Sequence, residues 1–129
     1  MNIPTDLKFT KNDEWVRVID NVGTVGTTDF AQEQLSDIVY VEIVVAEGDE
    51  VSQGDSCATL ESVKAAADVY LPVSGKVVAV NESLPDSPEG VNTDPYGAAW
   101  MVKVELSDLA ELDGLMDPTS YAAFLASKA

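Results

Sequence analysis

Histidine is absent from this 129-residue chain, and cysteine occurs once, at Cys57. Without imidazole there is no Ser–His or Cys–His nucleophile pair, no His-ligated metal and no base poised near neutrality. One thiol cannot close an intramolecular disulfide, and without histidine it cannot build a structural zinc site, so no metal centre is expected. Cys57 lies in an apolar run with no neighbouring cation, which predicts a small core residue rather than a reactive one. Phosphate-cradling loops are missing too: Gly23-Thr24-Val25-Gly26 offers two glycines and no third in register. No run is long and apolar enough to span a bilayer. Asn2-Ile3-Pro4-Thr5-Asp6 carries neither the basic nor the apolar part of a secretion signal.

Positive charge is nearly as scarce. Seven Lys and Arg face 23 Asp and Glu, for a formal net charge of −16. Contacts to a nucleic-acid backbone need cations, so no nucleic-acid partner is expected. The acidic surface repels copies of itself, which predicts a monomer, and is steered toward basic faces of partner proteins. So thin a catalytic inventory points to a carrier or binding module.

What is present reads mostly as strands. The chain is 46% hydrophobic and has the length of one ordinary domain, residues 1–129. Trp15–Ile19 and Val22–Gly26 flank the turn pair Asp20-Asn21 and form a predicted hairpin. Thr28 is placed to cap a short helix running to Leu35, with Asp29 in its first turn. Ile38–Val45 is rich in β-branched residues and reads as a largely buried strand. Ser56–Ser62, the apolar stretch through Val69-Tyr70-Leu71, Lys76–Val80 and Trp100–Leu106 are further strands. Pro72 must fall at a strand end or bulge. Residues 81–98 read as a long loop. Ser107 is the expected cap of a short helix carrying Leu109 and Leu112. Asp117-Pro118 starts a C-terminal helix with Tyr121, Phe124 and Leu125 on one stripe.

Lys64 stands out by position. It lies at the centre of the connection between two apolar strands, among small or uncharged neighbours, so its amine should project freely. A rigid hairpin would fix the root while the flexible stem extends the reach of any attached group. An exposed lysine on a turn is in itself ordinary; its context is not.

Glu61-Ser62-Val63-Lys64-Ala65 resembles the lipoylation site of the glycine cleavage H-protein family. Thr28-Asp29-Phe30-Ala31-Gln32 with Leu35 resembles that family's helix, and Asp37–Glu42 the strand after it. Tyr70-Leu71-Pro72-Val73-Ser74-Gly75 with Val80-Asn81 resembles the second half of the hairpin region. Pro88-Glu89, Val91-Asn92, Asp94-Pro95-Tyr96-Gly97 and Trp100 resemble its long loop and last strand. The resemblance keeps its order over nearly the whole chain. It implies a mainly β fold, a flattened β-sandwich or barrel of the biotinyl/lipoyl-carrier type with short flanking helices and a C-terminal helix.

The resemblance further implies lipoic acid in amide linkage to Lys64, with no catalytic cycle of the chain's own. The lipoyl arm would accept an aminomethyl group from the pyridoxal-phosphate glycine decarboxylase (P-protein). It would present that group to the aminomethyltransferase (T-protein), and dihydrolipoyl dehydrogenase (L-protein) would reoxidise it. Glu61, with Ser62, Val63 and Ala65, would be read by the lipoate-attaching enzymes. Glu14 and Asp68 would line a cleft that shelters the loaded arm. The expected location is the bacterial cytoplasm. Two departures concern histidine: many relatives have it where Asp13 stands, and often where Phe30 stands, with Gln34 following. The sequence therefore offers no imidazole near the arm.

The competing readings are carriers or relatives of the same fold. A 2-oxo acid dehydrogenase lipoyl domain usually has Asp-Lys-Ala, where this chain has Val63 before Lys64. A biotin carrier usually has Met-Lys-Met. A non-lipoylated interaction protein or a lipoate relay would keep the fold. An enzyme using Asp13 and Glu14 as a pair is disfavoured, because neighbours on a strand face opposite ways.

Overall fold

The computed structural model describes residues 2–128. Among these residues nine strands form two antiparallel sheets. β1 (Lys8–Phe9), β2 (Glu14–Ile19), β3 (Val22–Thr27), β9 (Val102–Leu106), β8 (Gly75–Val80) and β5 (Glu50–Val51) line up, in that order, as one six-stranded sheet. β4 (Ile38–Ile43), β6 (Ser56–Ser62) and β7 (Ala66–Tyr70) form the second sheet. The expected β2–β3 hairpin turns through Asp20 and Asn21, at φ 51° and 66°. Positive φ at both positions is the two-residue turn whose twist matches the flanking strands.

The sheets face each other across one apolar layer. Val16, Val25, Val77, Val102 and Val104 from the larger sheet meet Val41, Ala58, Leu60 and Val69 from the smaller. Cys57 is fully buried in this layer, and burial pushes its thiol up to about 12, so it stays protonated and inert. A second cluster joins Leu7, Phe9, Trp15, Tyr96 and Tyr121. Trp15 and Val16 are consecutive on β2 and belong to different clusters, as a strand's alternation requires. Gly26, opposite Trp15, leaves room for the indole: a Cβ there would sit 2.7 Å from the ring.

The helices cover the ends. α1 (Asp29–Leu35) is capped by Thr28, and α3 (Pro118–Ser127) by Asp117, both as expected. Tyr121 of α3 stacks on Phe9 with centroids 4.5 Å apart. Its hydroxyl lies 2.7 Å from Thr28 Oγ1 and donates to Asp13 at 2.9 Å. Burial raises its pKa, so it remains a donor.

Three expectations need correction. β4 is not largely buried: it pairs with β6 alone, and Tyr40 is 44% exposed. A bulge between Ile38 and Tyr40 leaves both Val39 and Tyr40 exposed; Ile38 and Val41 enter the core, and Ile43 packs against it partly buried. The helix near Leu109 is a 3-10 turn, Leu109–Gly114, capped by Asp108 rather than Ser107. Starting at Leu109, that turn brings the Asp108 carboxylate onto the Ala110 N–H, and Leu109 stays 55% exposed while Leu112 packs on the core. The stretch 81–98 is more ordered than a plain loop, with a 3-10 turn at Leu84–Asp86 and α2 at Gly90–Thr93.

Tyr121→Phe should keep the ring stacking but lose both hydroxyl contacts, leaving Thr28 and Asp13 a partner short. A loss of about 1–3 kcal/mol is expected, read as a lowered urea midpoint with unchanged slope. An unchanged midpoint would remove the hydroxyl from the account of how α3 is held.

Candidate carrier site on the β6–β7 hairpin

Lys64 lies at the crest of the β6–β7 hairpin. The register pairs Glu61 with Ala66, Leu60 with Ala67, and Thr59 with Asp68. Paired residues share a face, so Leu60 and Ala67 point inward while Glu61 and Ala66, then Thr59 and Asp68, point outward. The residues between the strands, Val63, Lys64 and Ala65, are all exposed, with Val63 at 71%.

Ser62 builds this turn. Its N–H donates to the Ala65 carbonyl at 2.8 Å. Its Oγ accepts from the N–H groups of Lys64 at 3.2 Å and Ala65 at 2.9 Å, and donates to the Ala65 carbonyl at 3.1 Å. The Val63 N–H donates to the Asp37 carbonyl at 3.1 Å, which ties the crest to the start of β4. Serine hydroxyls stabilise turns by such short-range bonds. The crest backbone is therefore held while the Lys64 side chain is left outside. Among the described residues its ammonium has neither an ion-pair partner nor an aromatic ring beneath it. Glu61 is exposed on the outer face beside Tyr40 and Ala66.

Glu14 is a different kind of residue. It is only 2% exposed, at the rim of the space between the sheets. Thr10 donates to its Oε1 at 2.6 Å, and the Tyr70 N–H donates to its Oε2 at 3.1 Å, so the carboxylate joins β2 to the end of β7. Burial raises its pKa, against the lowering effect of those two donors. It opens onto a cleft of about 240 Å³, walled by Phe9, Leu71 and Pro72 on the apolar side and by Gln53, Gly54 and Tyr70 elsewhere. The cleft suits a mostly apolar chain ending in a cationic or hydrogen-bonding group.

Asp68 does not line that cleft. It is exposed on the outer face of β7, two residues before Tyr70, where Thr59 donates to its Oδ1 at 3.3 Å. The outer row Ala66–Asp68–Tyr70 runs about 13 Å from the crest toward the cleft, at the usual strand rise. Asp68 thus stands along the path and Glu14 at its end.

The positions where relatives carry histidine lie elsewhere. Asp13, Phe30 and Gln34 line a separate cleft with Leu125 and Lys128. Asp13 accepts from Tyr121 and sits 3.9 Å from Lys128 Nζ, which lies over the rings of Phe30 and Phe124. These positions therefore lie at the end of α3 and not in the wall beside Glu14, although the charge of Asp13 adds to the upward shift of Glu14. Asp13 precedes β2 in a bend at φ 65°, so the alternation expected of two strand neighbours does not apply to it; it lines the cleft at the end of α3 while Glu14 lines the other.

The sequence reading missed Ser62 as the turn's builder, and it missed Thr10, Gln53 and Tyr70 as cleft residues. Ser62, two residues before Lys64, was a legible signal for a hydroxyl-closed turn. The cleft residues come from three distant segments and carried none.

This arrangement defines a class: a two-sheet carrier domain that holds one lysine at the crest of a rigid hairpin. The profile described as Glycine cleavage H-protein matches residues 7–128. The Carboxydothermus hydrogenoformans glycine cleavage system H protein is 54% identical over 123 residues, covering 95% of this chain and 94% of its own. That of Shewanella loihica is 54% identical over 125 residues, covering 96% of each. The crystal structure of the Mycobacterium marinum glycine cleavage system H protein superposes with a TM-score of 0.87 at 35% identity, over 96% of this chain and 99% of that one. The chain belongs to the glycine cleavage H-protein family.

Glu14 should titrate above 4.5, the value for an unperturbed glutamate. A carboxyl whose folded pKa is raised contributes stability that is complete below the unfolded value and is lost as pH rises through the folded one. A carbon-detected NMR titration of the Glu14 carboxyl checks this. A midpoint at or below 4.5 would mean the donors outweigh burial.

Proposed function

We propose that this protein is the lipoyl-carrying shuttle of the glycine cleavage system, with lipoic acid attached to Lys64 Nζ. The single observation that carries the reading is the free Lys64 ammonium on a hydrogen-bond-locked crest inside Glu61-Ser62-Val63-Lys64-Ala65. The residues fit the group: the amine is exposed, its neighbours are small or uncharged, and the outer row of β7 leads to a cleft with an apolar wall and one buried carboxylate.

When attached, the lipoyl group supplies a reducible disulfide, a chemistry no side chain here provides. The chain supplies placement. Ser62 keeps the crest from fraying, so the arm pivots about a fixed root. Tethering raises the arm's local concentration at a docked partner. Phe9, Leu71 and Pro72 exclude water from the cleft. Glu14 is poised to accept a charge-assisted hydrogen bond from an amine held there. Asp68 is assigned to the path that leads to the cleft, and Glu61, Ser62, Val63 and Ala65 to recognition by the attaching enzymes.

In this role the protein takes the aminomethyl group from glycine decarboxylase and presents it to the aminomethyltransferase. Dihydrolipoyl dehydrogenase then returns it to the oxidised state. It acts as one domain, as a monomer, and as a carrier rather than a catalyst. The bacterial relatives and the inert thiol support a place in the bacterial cytoplasm.

Lys64→Arg tests the reading. Arginine keeps the charge but cannot form the lipoyl amide. Glycine–bicarbonate exchange with purified partner enzymes should fall to the level without carrier, while the variant's circular dichroism and melting stay as in the parent. Full exchange by the variant would defeat the proposal.

A further inference from the structure

Two stretches that lie outside the strands help to wall the Glu14 cleft, Gln53-Gly54 and Gly114-Leu115-Met116. The second is pinned at its far end, where Met116 and Phe9 exchange both backbone hydrogen bonds at 2.8 Å. The first is an exposed turn. The Gly54 N–H donates to the Leu71 carbonyl at 2.8 Å, and the Leu71 N–H donates to the Asp55 carbonyl at 2.8 Å. Gln53 adds a side-chain bond, from Nε2 to the Pro72 carbonyl at 2.8 Å.

Ser74 connects the two. Its own backbone is fixed: the Ser107 N–H donates to its carbonyl at 3.1 Å, and Gly75 beside it pairs with Leu106. Ser74 Oγ donates to Glu111 Oε2 at 2.6 Å and accepts from the Gln53 N–H at 2.7 Å. Glu111 Oε1 accepts from the Ser74 N–H at 2.7 Å. A hydroxyl has one proton to give. The Glu111 carboxylate takes it, which turns a lone pair of Oγ to the Gln53 amide. Bonds to a carboxylate are short and strong, and a chain of hydrogen bonds polarises its members. Glu111 is half-buried in the 3-10 turn, three residues before Gly114. One carboxylate thus ties the turn that leads into one wall to the serine that holds the other. Neither Ser74 nor Glu111 lines the cleft itself.

We propose that Ser74 and Glu111 are positioning residues of the cleft: the chain Glu111–Ser74–Gln53 holds its walls together and so keeps water from a group sheltered beside Glu14. The inference rests on the proposed role of the cleft in sheltering the loaded arm. An aminomethyl group on sulfur is open to hydrolysis. Water adds to the methylene carbon, the C–S and C–N bonds break, and thiol, formaldehyde and ammonium result. That loss requires the cleft to open to water. Without the Ser74 hydroxyl the Gln53 N–H loses its partner, and the turn at 53–55 lifts off Leu71 more often. One ordinary hydrogen bond changes such a population about fivefold.

The test uses Ser74→Ala, Ser74→Thr and Glu111→Gln in the full-length protein. In the unlipoylated proteins, amide hydrogen exchange at Gly54 and Leu71 should be about fivefold faster in Ser74→Ala than in the parent, while amides paired between β2 and β3 keep the parent's rates. Ser74→Thr keeps the hydroxyl and should restore the parent's rates. Glu111→Gln should behave like Ser74→Ala, because its amide offers NH2 to Oγ in competition with the Gln53 N–H. In the lipoylated, aminomethyl-loaded proteins without aminomethyltransferase, formaldehyde release should accelerate about fivefold in Ser74→Ala and Glu111→Gln and stay at the parent's rate in Ser74→Thr. Release at the parent's rate by Ser74→Ala would overturn the proposal, since the bonds would then hold the turn alone. Faster exchange that spreads to β2 and β3 would overturn it too, because the whole fold would have loosened. A parent that loses the group as fast as aminomethyl-lipoamide free in solution would sink the sheltering role of the cleft and this inference with it.

Discussion

The burial of Ala58, Leu60 and Val69 against the larger sheet is the constraint on which the rest depends. Strand side chains alternate, so a one-residue slip between β6 and β7 would turn those residues to water and carry Glu61 and Asp68 inward. The apolar layer thus fixes the register, and the register decides which residues form the crest. Ser62 completes the arrangement by closing the turn with its own hydroxyl, so that Lys64 is excluded from the fold rather than merely tolerated on its surface. The packing thus anchors the backbone of the crest, and among the described residues no ion-pair or aromatic partner holds the Lys64 side chain.

Glu14 is the counterpart of Lys64 at the far end of the β7 row. A buried carboxylate costs free energy unless it is hydrogen-bonded, and this one is satisfied by Thr10 and by the backbone of Tyr70. The bond from Tyr70 also joins one sheet to the other beside the cleft. The same residue therefore serves the fold, by holding the sheets' edges together, and the site, by placing an acceptor where a cationic group can be held. The side of β7 that faces away from the core links the two ends, with Asp68 midway.

Much of this was legible in the sequence. The β2–β3 hairpin was announced by Asp20-Asn21, the caps of α1 and α3 by Thr28 and Asp117, and the exposed place of Lys64 by its position between two apolar strands. The inert role of Cys57 followed from its apolar surroundings. The errors have a common physical origin, which is that local pattern does not reveal tertiary exposure. The β-branched run after Ile38 looked buried because nothing in it shows that β4 has a partner on one side only and bulges at Val39. Ser107 and Asp108 are both good caps, and only the starting point of the 3-10 turn decides between them. Glu14's neighbours Gln53 and Tyr70 come from segments far apart in the chain, and no spacing rule could join them. Asp13 and Phe30, the positions that lack the family's histidine, line the cleft at the end of α3, and the Asp13 charge still reaches Glu14 and raises its pKa.

The account is tested most directly by purifying the protein from its native host, digesting it and mapping the mass of every lysine-containing peptide. It predicts one lipoyl group, on the peptide that contains Lys64, and unmodified lysines elsewhere. A protein that supports glycine cleavage with Lys64 unmodified, or with the lipoyl group on another lysine, would contradict it.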